Sequence, residues 1–379
     1  MTNLETERHV MYAYVGSRTS TKRNARGKGI NVYRIDPNNG QWEHVQLLIQ
    51  LNNPSFLAFD RNKEFLYAVH GDEKFVSTYE INHENGTLRL LGSQATVEQV
   101  HHPDLDPTRA NNPVHLAVDP SNRFVIVASH EIGKITVHPR LSDGTLGPCT
   151  QTYHVSGIEQ PMDLPVSYSR PHQILFDSTG KFVLVPAQGR APGKGKDKVL
   201  VFSFDRETGR LTETCCTFAR KGSWPRHVVL HPKNCFAYVV NEIDNTVTAY
   251  HFNDNAGMLE PFQILSTLPD SYTGDGQASE IDIHPSGQFL YASNRIHDSI
   301  AVFLIDQTTG RLTPTYWIDS GGKTPRFTVI DPDGHYFYAA SEDEDRIVQF
   351  VIDPEDGCLI PTGQTINTES PVCIIFKEV

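Results

Sequence analysis

One phrase of sequence recurs seven times along the chain and limits the possible folds more than any other feature. Each copy is an alternating strand, an acidic or polar turn and a glycine that is usually followed by leucine, as in VFSFDRETGRL and VFLIDQTTGRL. Glycine suits this place because such turns need a positive φ at one position. The repeated glycines, 46 to 65 residues apart, are Gly40, Gly86, Gly144, Gly209, Gly257, Gly310 and Gly357.

A second phrase alternates with the first. It consists of an apolar strand that usually starts with proline, an Asp-Pro or His-Pro type of turn, and an aromatic-rich strand, as in TPRFTVIDPDGHYFYAASE. Six copies are complete, and the seventh is divided between SPVCIIFKEV at the end of the chain and VMYAYVGSRT at its start. The division predicts a closed ring, in which the C-terminal strand joins the sheet begun by residues 10–16 and covers two exposed edges.

These units predict an all-β fold. Each unit of about 50 residues supplies about four short strands with period-two alternation, which is typical of propeller blades. An open β-solenoid is the rival architecture, but it would not need a strand from the far end of the chain. We therefore predict a single seven-bladed β-propeller domain over residues 10–379, preceded by a disordered lead at residues 1–9.

Composition and charge exclude several classes of protein. The net charge of -12 argues against an extended nucleic-acid surface, which needs clustered Lys and Arg. The sequence has neither a signal-peptide pattern nor a membrane-length apolar run. The six cysteines show no zinc spacing and are typical of structural thiols in a reducing cytosol. We expect a cytoplasmic protein without a nucleic-acid or membrane partner; the sequence does not indicate its oligomeric state.

Polar residues recur at two places in each unit, which we call the two columns of the repeat. The first column lies just after the proline of the innermost strand, and the second column lies at the end of the second strand. Because the two strands are antiparallel, both places lie at the same rim, and seven units bring them to one mouth of the central channel. His231 and His284 instead lie in turns at the opposite rim. The candidate catalytic residues in these columns are His172, Arg226, Glu242 and Arg295. The candidate substrate-binding residues are His115, His130, Gln188, His227, Glu280 and Arg326.

Such a ring of charges has two interpretations. Buried charges are costly unless they are paired or used, and their crowding shifts pKa values, as at functional sites. The alternative is that the charges only pair with each other around a water-filled channel, as in a noncatalytic binding propeller. Long insertions that can frame a site cover residues 93–111, 155–170 and 189–198. The last insertion carries cations that can reach a phosphate, namely Arg190, Lys194, Lys196 and Lys198.

The phrases WPRHVVLHPKNCFAYVVNE, IDIHPSGQFLYASNR and TPRFTVIDPDGHYFYAAS resemble the lactonase family of seven-bladed propellers. This family includes bacterial propeller-type 6-phosphogluconolactonases and the fungal carboxy-cis,cis-muconate cyclase. The resemblance extends from about residue 10 to the C-terminus, whereas WD40 signatures are absent from their expected places. It implies that the His, Arg, Glu and Arg residues proposed as the site of the muconate cyclase correspond to His172, Arg226, Glu242 and Arg295, the four residues that the two recurring rim positions also select.

The resemblance implies chemistry on a lactone. Glu242 or His172 can take a proton from water, and Arg226 and Arg295 can stabilise an oxyanion or bind an anionic group. The leading prediction is a lactonase of the 6-phosphogluconolactonase type, acting on an anionic sugar-acid lactone. A carboxymuconate lactonising enzyme remains open, since cyclisation makes the same bond in reverse. We expect no cofactor and no metal, because Arg and His in the mouth disfavour a bare divalent cation.

Overall fold

The computed structural model describes residues 10–37, 39–97, 111–156, 167–190 and 195–378. The predicted lead at residues 1–9 lies outside these ranges. Within them the chain forms 29 strands and a single helical turn, the 3-10 helix Thr21–Arg23. The all-β prediction is confirmed.

The strands are short, and most span six to nine residues. In chain order they are β1 (Met11–Ser17), β2 (Gly29–Ile35), β3 (Trp42–Ile49), β4 (Pro54–Phe59), β5 (Phe65–His70), β6 (Phe75–Ile81), β7 (Leu88–Ala95), β8 (Pro113–Val118), β9 (Phe124–Ser129), β10 (Lys134–Pro139), β11 (Gln151–His154), β12 (Arg170–Pro171), β13 (Leu175–Phe176), β14 (Phe182–Gln188), β15 (Lys198–Phe204), β16 (Leu211–Phe218), β17 (Pro225–Leu230), β18 (Phe236–Asn241), β19 (Thr246–Asn253), β20 (Met258–Ser266), β21 (Gln277–Ile283), β22 (Phe289–Arg295), β23 (Ser299–Ile305), β24 (Leu312–Asp319), β25 (Pro325–Ile330), β26 (Tyr336–Ser341), β27 (Arg346–Ile352), β28 (Leu359–Asn367) and β29 (Pro371–Glu378).

Seven antiparallel sheets form the seven blades. Blade 1 has the order β29-β1-β2-β3, and blades 2 to 7 begin with β4, β8, β12, β17, β21 and β25. In blade 4 the innermost position is shared by the two short strands β12 and β13, which both pair with β14. The innermost strands of successive blades contact one another around the axis, as β17 does with β21 and β21 with β25.

The ring closes through blade 1, as predicted. Strand β29 pairs antiparallel with β1, from Met11 opposite Glu378 to Gly16 opposite Cys373. It also contacts the innermost strands of blades 7 and 2 on either side. The C-terminal strand therefore completes both the first sheet and the circle of blades.

The recurring turn glycines connect each blade to the preceding one. All seven have φ between 64° and 83°. A Cβ on Gly86 would lie 2.4 Å from the ring of Tyr12, and a Cβ on Gly144 equally close to the ring of Phe65. The Gly86 carbonyl also accepts a hydrogen bond from the Tyr14 hydroxyl at 2.9 Å. The repeated phrase therefore encodes a contact between blades as well as a turn.

Apolar side chains fill the spaces between blades. Between blades 4 and 5, for example, Leu184 and Val201 pack with Val239 and Tyr250, all of them buried. Burial of this kind is the main favourable contribution to folding, at about 25 cal/mol per Å² of apolar surface. Because apolar side chains occupy the strand interiors between blades, most charged side chains of the innermost and second strands lie near the strand ends, towards the rim. None of the described helices is long and apolar enough to cross a membrane.

Candidate functional site

A cavity of about 250 Å³ occupies the mouth of the central channel. Eight of the ten predicted site residues line it: His130, His172, Arg226, His227, Glu242, Glu280, Arg295 and Arg326. His115 and Gln188 do not line it. Both are buried behind the wall, where they contact residues that do.

The local backbone explains why neighbouring residues of one strand can face the same cavity. In blades 2, 3, 5 and 7 the pairing register of the innermost strand shifts just after its proline, as between Pro225 and His227. The extra residue at such a β-bulge turns its side chain out of the normal alternation. In blade 5 that residue is Arg226, so both Arg226 and His227 line the cavity.

In blades 5 and 7, the residue before the proline of the innermost strand hydrogen-bonds to the residue that follows the second strand. Trp224 and Thr324 have φ of 57° and 59°, in the left-handed region. Their carbonyl groups accept the backbone N–H of Glu242 and Glu342, at 2.9 and 3.0 Å respectively. Left-handed backbone is costly for residues other than glycine and is concentrated at functional sites. These backbone hydrogen bonds place the two columns of the repeat side by side at the rim.

Glu242 lies at the centre of a charged cluster. Its carboxylate accepts hydrogen bonds from Arg295 at 3.0 Å, Gln188 at 2.8 Å and Gln277 at 3.0 Å. The Nε of Arg226 lies 3.9 Å from its Oε2. Burial alone would raise the pKa of Glu242, but Arg295 and Arg226 outweigh burial and lower it to about 2. Glu242 is therefore ionised throughout the neutral range.

The two arginines keep donors free for a ligand. Arg226 donates to the carbonyl of Ser279 at 2.8 Å, and Arg295 donates to that of Ala278 at 2.9 Å. The Nε of each is buried and makes no hydrogen bond among the described residues. Burial lowers the pKa of Arg226 to about 9, with Arg326 and Arg295 contributing. Because buried donors are nearly always satisfied, these two point to a ligand or to ordered water.

A second buried glutamate differs from Glu242. One oxygen of Glu280 is hydrogen-bonded to Nδ1 of His227, while its Oε2 is buried and without a hydrogen bond among the described residues. Burial raises the pKa of Glu280 to about 8, although Arg226 opposes the change. Burial also places the pKa of His227 well below its usual value. The pair therefore carries no net charge near neutral pH.

His130 and His172 continue a row of histidine rings that starts at His227. The ring of His172 lies 5.1 Å from that of His227 and 5.4 Å from that of His130. Nε2 of His130 is 3.2 Å from Oε1 of Gln188, which in turn donates to Glu242. His172 follows β12 at the break in the innermost strand of blade 4, and its Nδ1 has no partner among the described residues. His115 lies against Phe56, with ring centroids 3.8 Å apart.

A third glutamate and two arginines extend the site into blades 7 and 1. Glu342 forms ion pairs with both arginines: the Nε of Arg18 lies 3.4 Å from its Oε1, and the Nε of Arg326 lies 3.6 Å from its Oε2. Burial raises the pKa of Glu342, but Arg326 and Arg18 outweigh it, so the net shift is downward. Arg18 and Glu342 were not predicted as site residues, although both stand in the second column of the repeat. Gln277 gave no signal, because blade 6 lacks the proline that marks this position elsewhere.

The cavity is strongly cationic although the chain is acidic. Among the described residues it is lined by six arginines and three glutamates: Arg18, Arg23, Arg190, Arg226, Arg295, Arg326, Glu131, Glu242 and Glu280. A cleft lined by one sign of charge concentrates ligands of the opposite sign. The cavity therefore suits a small anion.

The basic insertion contributes less than its composition suggests. Arg190 lines the cavity and lies over the ring of Trp224 at 4.4 Å. Lys196 lies over Phe218, and Lys198 donates to the carbonyl of Ser156, so neither lines the cavity. Lys194 lies outside the described residues.

The described residues offer one cluster with metal-ligand spacing. It comprises Asp331, Asp333 and His335, in the turn after β25 at the opposite rim. At the mouth, Glu242 is paired with Arg295, and Glu342 beside it is paired with Arg326. Their pairing leaves the mouth suited to anions.

Comparison with known proteins agrees with this architecture. A family model described as lactonase, 7-bladed beta-propeller, matches residues 12–376. The chain is 30% identical to the 6-phosphogluconolactonase of Bacillus subtilis strain 168 over 322 residues, which covers 84% of each chain. It is also 27% identical over 317 residues to uncharacterised proteins of Staphylococcus aureus.

Solved structures show the same fold. A candidate 6-phosphogluconolactonase from Bacteroides fragilis superposes with a TM-score of 0.81 at 27% identity, over the whole of both chains. The periplasmic gluconolactonase of Pseudomonas aeruginosa superposes with a TM-score of 0.83 at 23% identity, covering 98% of this chain and 99% of the other. At that identity the second match shows the fold alone. The chain belongs to the lactonase family of seven-bladed β-propellers.

Proposed function

We propose that this protein hydrolyses a sugar-acid lactone of the 6-phosphogluconolactone type in the mouth of its channel. The observation that carries the proposal is the arrangement of Arg226 and Arg295 around the ionised Glu242. Each arginine has a buried Nε without a hydrogen bond among the described residues, on the wall of a cationic cavity. The sequence similarity to the Bacillus subtilis 6-phosphogluconolactonase supports the same reaction class.

The arginine pair suits the oxygen on which negative charge develops. When water attacks the lactone carbonyl, the carbonyl oxygen becomes an oxyanion. Fixed donors in a site of low dielectric stabilise such charge strongly, because they need no reorganisation during the reaction. Arg226 and Arg295 are fixed by Glu242 and by backbone carbonyl groups. Glu242 acts in this proposal as the residue that holds both guanidinium groups in place.

The neighbouring arginines suit the far end of the substrate. Arg18 and Arg326 share Glu342 and lie in the next two blades around the ring. Guanidinium groups bind phosphate with paired donors. This second cationic group supports a substrate that carries a phosphate at the end opposite the lactone.

The proposal is tested by measuring hydrolysis of 6-phosphogluconolactone, unphosphorylated gluconolactone and carboxymuconolactone, each corrected for spontaneous opening. The wild type should turn over the phosphorylated lactone with the highest kcat/KM. Arg226→Ala and Arg295→Ala should each lower kcat by about 100- to 1,000-fold. Arg123→Ala is the matched control, because Arg123 is exposed and pairs with Glu207 away from the mouth.

Two outcomes decide between the candidate functions, and a third tests the role of the arginine pair. Preference for carboxymuconolactone would favour the lactonising enzyme over the sugar lactonase. No turnover of any lactone would favour a noncatalytic binding propeller. Full activity of both arginine variants would remove the pair from the mechanism. Circular dichroism of each variant separates loss of chemistry from loss of fold.

A further inference from the structure

Glu280 and His227 form a pair in which a carboxyl group fixes the orientation of a histidine ring, as in many catalytic sites. Glu280 lies on β21 of blade 6, and His227 lies on β17 of blade 5. Both side chains are buried and both line the cavity. Oε1 of Glu280 meets Nδ1 of His227, and the backbone N–H of Ile281 donates to the same oxygen at 3.3 Å. The backbone of Glu280 is fixed in turn, since its N–H donates to Ser293 at 2.9 Å.

The contact with Arg226 assigns the tautomer of His227. Oε1 of Glu280 faces Nδ1 of His227 and also accepts the N–H of Ile281. On the other side of the ring, Nε2 lies 3.5 Å from Nη1 of Arg226. A guanidinium nitrogen can only donate, so Nε2 is the acceptor. His227 therefore carries its proton on Nδ1, which donates to Oε1 of Glu280, and its Nε2 is unprotonated.

The other candidate bases lack this arrangement. Glu242 is the partner of two arginines and accepts three hydrogen bonds, which makes it a poor proton acceptor. His172 lines the cavity, but its Nδ1 has no partner among the described residues, so no carboxylate holds its ring. A base whose orientation is fixed by a third group is the usual feature of activated nucleophiles.

Several charged and titratable groups face the pair. Burial is the main cause of the lowered pKa of His227. The positive charge of Arg226 on β17 lowers it further, with Arg326 of β25 and Arg295 of β22 adding to the effect. Glu242 acts on His227 in the opposite direction. His172 and His115 flank the imidazole of His227, with ring centroids 5.1 and 5.9 Å away. Asp282, further along β21, interacts with Glu280 and is itself hydrogen-bonded to Thr328.

We propose that His227 is the general base that activates water in this site, and that Glu280 is its positioning residue. The inference rests on the lactonase function proposed above. Nε2 of His227 takes a proton from water while the water oxygen bonds to the lactone carbonyl carbon. The carbonyl electron pair moves onto the oxygen beside Arg226 and Arg295. When the intermediate collapses, the ring C–O bond breaks, and the alkoxide takes the proton back from Nε2, which gives the open hydroxy acid.

The test combines variant kinetics with a measurement that needs no substrate. His227→Gln should lower kcat by about 100- to 10,000-fold with KM within a few-fold of wild type. Glu280→Gln should lower kcat by roughly tenfold or more and move the acidic limb of the kcat/KM profile to lower pH, because glutamine cannot become the carboxylate that stabilises an imidazolium at His227. Glu280→Asp should restore part of both. His251→Gln is the control, because His251 is exposed on β19 of the same blade.

Nitrogen-15 NMR of histidine-labelled full-length protein reads the tautomer directly, with His227→Gln providing the assignment. The expected spectrum shows a protonated Nδ1 and an unprotonated Nε2 at neutral pH. The opposite tautomer in the wild type would overturn the proposal, even if the protein is a lactonase. An active wild type with unchanged kcat in His227→Gln would also overturn it and leave the lactonase function intact. A wild type inactive on every lactone would overturn both.

Discussion

Two glutamates line the same cavity, but their ionisation differs. Glu242 and Glu280 are each about 5% exposed, so burial penalises their charged forms alike. Glu242 has a pKa of about 2, whereas that of Glu280 is raised to about 8. The difference lies in their contacts. Arg295 and two amide side chains donate to Glu242, while the carboxyl group of Glu280 has two hydrogen-bond partners among the described residues, His227 and one backbone N–H at 3.3 Å.

The comparison shows that proximity to arginines is not sufficient to ionise a buried carboxyl. Arg226, Arg326 and Arg295 also act on Glu280, but burial outweighs them. A hydrogen-bonded guanidinium offsets desolvation far better than one at longer range. One cavity can therefore hold an ionised anchor and a neutral partner for a base, which is the separation that acid–base catalysis needs.

The largest expected effect follows from Glu242→Gln. Removing this charge leaves Arg226 and Arg295 buried without their shared counterion, and breaking a buried pair in this way costs about 3 kcal/mol or more. The free energy of unfolding in urea measures the loss. Glu207→Gln, at an exposed surface pair, should change it by less than about 0.5 kcal/mol. Equal stability of the two variants would mean that Glu242 is not ionised in the folded protein.

Glu280→Gln should produce a smaller, pH-dependent change. The folded pKa of Glu280 is raised to about 8, above its unfolded value of roughly 4.3, so its contribution is fully present below pH 4.3 and is lost as pH rises towards 8. The glutamine variant cannot titrate. Relative to wild type, its free energy of unfolding should therefore rise by at least about 1 kcal/mol between pH 5 and pH 8. Denaturant titrations at both pH values measure this, and a constant difference would contradict the raised pKa.

The smallest effect is expected from Gln277→Ala, which removes one donor to Glu242. The loss should be about 1 kcal/mol at neutral pH. The low pKa of Glu242 contributes stability above its unfolded value of roughly 4.3, which is lost as pH falls towards 2. In the variant the pKa of Glu242 is lowered less, so this loss of stability begins at a higher pH. The pH midpoint of acid unfolding should therefore rise by a few tenths of a pH unit. Gln288→Ala, at an exposed position, should leave the midpoint unchanged.

Much of the fold could be predicted because the repeat encodes it locally. The turn glycines require positive φ, and the divided seventh unit requires ring closure, so both can be read from residue type and spacing. The convergence of the columns could also be predicted, since it follows from antiparallel pairing within each blade. The roles of individual residues in them stay predictions, and Gln277 could not be found because its position has no recurring marker.

The sequence by itself determined a seven-bladed ring and two rim positions that supply eight of the residues lining its mouth, because turn chemistry and strand alternation depend on neighbours along the chain. Tertiary structure alone decided which of those residues became partners. The sequence places both Glu242 and Glu280 at the rim, yet the blades bring Arg295 within 3.0 Å of one and His227 against the other. Ionisation in a buried site depends on contacts of a few ångströms between blades, and these distances arise only when the ring is closed.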